Sequence, residues 1–133
     1  MAKAPYKLLS VIVCDDVRTE VTKKEILIGV YSEGIVVPKL PAVLTSLYFR
    51  VHLALYQQGQ TQFSFQVVKP SGKNILDTKE QPLEFRSHVV LALGVQGPTL
   101  DEAGKHQMFL RLGQGRRQMI GEFNVTEGPV VSS

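Results

Sequence analysis

The chain has no tryptophan, three methionines and one cysteine among its 133 residues. A lone cysteine, Cys14, cannot close an intrachain disulfide, so the sequence implies neither a disulfide scaffold nor an oxidising compartment. Aromatic residues are sparse at 8%, and the formal net charge is only +3. A nucleic-acid module shows a denser basic stripe with aromatics between its charges, so nucleic-acid binding is not expected. The apolar run from Leu8 to Val13 meets Asp15-Asp16 at once. It is too short to cross a membrane and lacks the cleavage site of a secretory leader. The expectation is therefore a cytoplasmic protein with no membrane span. No stretch of about ten residues shows the 3.6-residue period of an amphipathic helix. No internal repeat is visible, and no spacing matches a cofactor or phosphate-loop motif.

What is present is a well-punctuated set of short apolar runs. The apolar fraction is 44% and the charged fraction 20%, close to globular averages. The length suits one domain, expected over residues 1–126, with a flexible tail over 127–133. Tyr6–Cys14 is nearly continuous in apolar residues and reads as a central strand covered on both faces. Asp15-Asp16 then ends it, in a turn running to Glu20. Strands follow at 26–31 and 35–37. Pro38-Lys39-Leu40-Pro41 is a rigid connector, and residues 41–46 can form one helical turn with Pro41 at its start.

The clearest strand runs from Leu47 to Tyr56. Leu47, Phe49, Val51, Leu53 and Leu55 fall on one face, and Tyr48, Arg50, His52, Ala54 and Tyr56 on the other. That period of two marks a half-buried antiparallel strand. Gln57–Gln60 is a hairpin loop, and Phe63, Phe65 and Val67 point inward from the strand after it. Pro70-Ser71-Gly72-Lys73 is a tight turn. Short pieces at 75–76 and 83–85, a strand at 89–96, and a hairpin of 105–112 with 118–125 complete the set. Residues 97–104 form a polar crossing. Turn signals every 8–12 residues over about seven to nine strands specify an all-β, two-sheet antiparallel sandwich, immunoglobulin-like or related.

Reactive side chains are densest in Cys14-Asp15-Asp16-Val17-Arg18-Thr19-Glu20. Asp15, Asp16 and Glu20 could converge on a hard cation or support a hydrolytic site. Equally, Asp15 and Asp16 could make the turn, with Arg18 pairing with Asp16 or Glu20. Cys14 reads as a buried, inert thiol. His52 and His106 are placed on strand faces opposite the core, where a cross-strand pair is conceivable. Scattered histidines lack zinc-site spacing, so no metal, cofactor or catalytic residue is assigned. Gly113-Gln114-Gly115-Arg116-Arg117 reads as a hairpin tip, with Arg116 and Arg117 as the candidates for an anionic partner. The outward row Tyr48, Arg50, His52 and Tyr56 carries the residue types of interface hot spots.

The turn Val67–Lys73 and the closing hairpin resemble those of immunoglobulin-like sandwiches. The opening Val13–Glu20, followed by Leu27-Ile28-Gly29-Val30-Tyr31, resembles a family of small uncharacterised bacterial β-sandwich proteins. The resemblance implies a bacterial origin and a small β domain, and brings no activity with it. The expected function is a non-catalytic binding or assembly module that acts through a protein partner or through self-association. A metal-dependent or hydrolytic site at Asp15–Glu20 and an anion-binding tip at Arg116 and Arg117 are the alternatives.

Overall fold

The computed structural model describes residues 6–56 and 59–129. Twelve strands follow one another with no helix: β1 (Tyr6–Thr19), β2 (Glu25–Val30), β3 (Ile35–Val37), β4 (Ala42–Val43), β5 (Ser46–Leu55), β6 (Gly59–Val68), β7 (Asn74–Asp77), β8 (Gln81–Phe85), β9 (His88–Gln96), β10 (Thr99–Leu100), β11 (Gly104–Leu112) and β12 (Gln118–Glu127). The expected all-β sandwich is the fold found, with more strands than the turn signals suggested. One sheet has the order β2-β1-β5-β9. A second, six-stranded sheet has the order β3-β12-β11-β6-β7, with β8 also on β6, and β4 and β10 form a separate two-stranded sheet. Every pairing is antiparallel except that of β3 with β12.

The alternation in β5 sets the core. Leu47, Phe49, Val51 and Leu53 are fully buried, and Phe65, Val67, Leu110 and Val125 answer them from the other sheet. The Phe49 ring lies 5.5 Å from Phe65 and 6.1 Å from Phe123, so it bridges the two sheets. Burying a side chain of that size stabilises by about 2–3 kcal/mol.

Three expectations are corrected. The turn expected at Asp15–Glu20 is strand: β1 continues to Thr19, and Asp16, Val17 and Arg18 pair with Ile28, Leu27 and Ile26. The turn comes at 20–24, where Lys23 takes a left-handed φ of 66° and its N–H donates to the Glu20 carbonyl at 2.8 Å. A partner strand able to pair with the Asp-Asp segment outweighs its turn preference. The helical turn at 41–46 is also strand, because Ala42 and Val43 pair with Leu100 and Thr99 and the Leu44 N–H donates to the Pro98 carbonyl. β1 is not covered on both faces: Lys7 and Leu9 are exposed, Leu9 at a register shift against β5. β12 runs to Glu127, where Thr126 and Glu127 pair with Val36 and Val37. The loop residues Gln57 and Gln58, and the end of the tail, lie outside the described residues.

Candidate functional site

The Asp15–Glu20 segment was the densest reactive cluster, and the strand disperses it. Asp15 accepts a hydrogen bond from the Tyr31 hydroxyl. Burial and that bond push the Tyr31 hydroxyl well above its ordinary pKa. Asp16 accepts from the Arg18 guanidinium at 3.1 Å, a solvent-exposed pair. Glu20 is exposed in the turn. Cys14 is fully buried, and burial raises its thiol pKa, which suits an inert side chain. Asp15, Asp16 and Arg18 line a concavity of about 450 Å³ with Ile28 and Ser46. Among the described residues, no group of three or more His, Cys, Asp or Glu side chains is arranged to hold a metal ion.

The outward row of β5 is engaged within the chain. The Tyr48 ring covers Gly94 of β9, so closely that a Cβ at that glycine would lie 2.4 Å from a ring carbon. Arg50 pairs with Glu25 at 2.9 Å, both well shielded. This contact has a geometric consequence. Arg50 is opposite Ile12 and Glu25 opposite Thr19, which a straight β1 would set roughly 23 Å apart. The contact therefore requires β1 to bend, bringing Glu25 of β2 toward Arg50 of β5. His52 packs against His88, with ring centroids 5.5 Å apart. Tyr56 is exposed beyond the end of β5.

His52 does not meet His106, because His106 faces the core. It is fully buried, stacked on Phe123 at 5.2 Å. Its Nδ1 lies 3.0 Å from the Gly104 carbonyl, which can only accept, so Nδ1 carries the proton. Nε2 is then a bare acceptor, and it has no partner. Burial lowers the pKa of this imidazole. The two hairpin arginines separate as well. Both are exposed, but Arg117 lies 4.0 Å over the Phe109 ring and donates to Gln66 at 2.6 Å.

A feature absent from the sequence reading is the pair of open edges on the four-stranded sheet. At one edge, β9 pairs with β5 alone. The Leu55 N–H donates to the Ser87 carbonyl, and the Gly97 N–H to the Thr45 carbonyl. Both bonds join an odd-numbered residue of the β9 segment to β5. By the alternation of an antiparallel ladder, the N–H and C=O groups of His88, Val90, Ala92, Gly94 and Gln96 then point away from the sheet. All five residues are exposed, and no Asp, Glu, Lys or Arg lies between His88 and Gln96. At the other edge, the Tyr31 N–H donates to Val13. At the hairpin end the Glu20 N–H donates to the Lys24 carbonyl, so by the same rule Ile26 and Ile28 bond to β1, and the alternation changes at Gly29, whose φ is 67°. Ile26, Ile28 and Val30 are 40%, 39% and 49% exposed. The uncharged run of β9 is plain in the sequence, but it reads there as core strand; only strand order reveals an edge.

Between the sheets, a cavity of about 360 Å³ opens beside β1 and β12, lined by Val11, Met108 and Phe123 with Tyr31, Glu33 and Glu122. No helix is long and apolar enough to cross a membrane among the described residues. A family model described as a family of unknown function (DUF6941) matches residues 9–125. None of the curated proteins matches the chain.

Proposed function

The chain belongs to DUF6941, a family of unknown function, and on that premise we propose that it is a non-catalytic binding module that adds an extended segment of a partner protein to the β9 edge. The carrying observation is the edge itself: five consecutive outward-facing backbone pairs on a strand without a formal charge. Sheet proteins ordinarily blunt such an edge with charge, proline or a covering loop. An added strand would satisfy the free amides and carbonyls, and the exposed side chains of Val90 and Ala92 would contact its alternate residues. The side chains of Tyr48 and Gln96 border that face and join at 3.5 Å. The buried, unpaired Cys14 suits a reducing compartment, and the proposal sets the module in a bacterial cytoplasm.

The test is affinity purification from the source cell with wild type and Ala92→Pro. Proline at 92 removes an outward N–H and leaves the β5 ladder intact. The proposal expects a stoichiometric partner with wild type and its loss with Ala92→Pro at unchanged fold. The same proteins captured by both chains, or none by either, would contradict it.

A further inference from the structure

The sandwich is open along one side, between the edges of its two sheets. β2 pairs with β1 only from Cys14 to Thr19, and the Tyr31 N–H then donates to the Val13 carbonyl as the chain leaves the sheet. β3 pairs with β12 only from Val125 to Glu127. Short of those points, neither β1 nor β12 has a strand on its outer side among the described residues. The Tyr6 hydroxyl spans the sheets at one end of this gap, donating to Gln118 Oε1 at 2.9 Å. The loop from Tyr31 to Gly34 spans the other end, so near β12 that a Cβ at Gly34 would lie 2.7 Å from the Asn124 carbonyl oxygen. The cavity of about 360 Å³ lies against this loop. We propose that it binds a small organic monocation, an ammonium group on a compact apolar body. The site is on the β1 side of the sheet, away from β9, and does not depend on that edge.

Size and shape select a small ligand. Small-molecule pockets run from about 300 to 1,000 Å³, so a cavity of about 360 Å³ holds one compact molecule. Because both ends of the gap are spanned, an extended chain cannot run through it between the sheets. The floor is apolar: Val11 reaches it from β1, Met108 from β11 and Phe123 from β12. A Cβ at Gly121 would lie 2.8 Å from Met108 Cε and 3.1 Å from Val11 Cγ1, so the two side chains close on the point that a side chain there would fill. Burial of an apolar body on this floor supplies the non-directional part of the binding.

The polar wall selects the charge. Glu33 and Glu122 line the cavity, and among the described residues no Lys, Arg or His does. That is a local excess of negative charge on a chain whose net charge is +3. Glu33 has no ion-pair partner among the described residues. Glu122 meets Lys105 at 3.6 Å, in an exposed pair that a ligand displaces at small cost. The Tyr31 hydroxyl donates to Asp15, so it offers a ligand only its lone pairs. An ammonium group brings a positive charge and several N–H donors to these acceptors. A carboxylate or phosphate meets repulsion from both glutamates.

An NMR titration of the full chain tests this, with benzylammonium as the probe, benzyl alcohol as its neutral counterpart and benzoate as its anionic one. Benzylammonium should shift the methyl signals of Val11 and Met108 and bind about tenfold more tightly than benzyl alcohol. Benzoate should leave those signals in place. Glu33→Gln and Glu122→Gln change exposed residues and leave the core intact. Each should weaken benzylammonium about threefold without affecting benzyl alcohol, and the double variant should erase the preference. Equal binding of the three probes, or a preference that survives in the double variant, overturns the charge assignment. No shift at Val11 and Met108 with any probe overturns the site. A peptide such as Ala-Val-Lys-Val-Ala that shifts those methyls where benzylammonium does not would place an extended chain there and overturn the small-ligand class.

Discussion

The two edges of the four-stranded sheet are built from similar residues and differ in what surrounds them. β9 is nine residues long with no formal charge along it. β2 is six residues long, carries Glu25 as a charge of its own, and is tied to β5 by the Arg50–Glu25 pair. A charge on an edge strand blunts it against an added strand, and an edge without one leaves its outward amides and carbonyls open to an extended segment. Exposed strand length alone therefore does not define a binding surface.

The largest expected effect separates the two sides of β9. Leu91→Pro removes a ladder N–H and a buried side chain and should cost about 4 kcal/mol. Ala92→Pro, one residue on, should cost about 1 kcal/mol or less. Equal costs in urea denaturation would show that the outward parity is wrong. Next is Gly29→Ala on β2. Gly29 has a left-handed φ of 67°, and a Cβ there would lie 2.2 Å from Asp15 Oδ2. The strain and the displaced carboxylate, which holds Tyr31, should together cost about 2–3 kcal/mol. The same variant should keep any partner bound at β9.

A third expectation keeps the edges apart from the core. Buried His106 is neutral in the fold, and its pKa lies below the ordinary 6.5. The unfolded chain therefore takes up a proton that the native chain excludes. Stability should hold above pH 6.5 and fall as pH drops below it, with His106→Phe flattening that limb. Glu102, Lys69 and Asp101 also act on the ring electrostatically, the two carboxylates opposing the lowering and Lys69 adding to it. The carboxyls of Asp77, Asp101 and Glu102 are held below their ordinary range by hydrogen bonds from Lys79, Lys69 and Ser71, respectively. Their contribution is lost only in stronger acid, near and below the carboxylate range of about 4. A flat profile from pH 7 to 5 in wild type would contradict the assignment. The smallest effect is Arg18→Ala. Its pair with Asp16 is exposed on β1 and should be worth under about 0.5 kcal/mol.

Much of the fold is legible residue by residue. The alternation from Leu47 to Leu55 identifies β5 and its buried face without any structure, and the Gly-containing turns place the hairpins. His106 was legible too, since the period of two that sends Met108, Leu110 and Leu112 inward sends His106 with them. The polar character of the side chain argued the other way, and position outweighed it. The Asp15–Asp16 segment was not legible, because its pairing with β2 is a tertiary fact that overrides local turn preference. The open edges were hidden for a related reason. An uncharged strand looks the same in sequence whether it is central or terminal, and strand order arises from contacts far apart in the chain. The Arg50–Glu25 pair belongs with these, for only the bending of β1 brings it together.

The central claim is that the outward amides of β9 are free in the monomer. Residue-resolved amide hydrogen exchange tests it most directly. In dilute solution Val90, Ala92 and Gly94 should exchange fast while Val89, Leu91 and Leu93 are protected. Protection of the even-numbered β9 amides in the dilute sample would contradict the account.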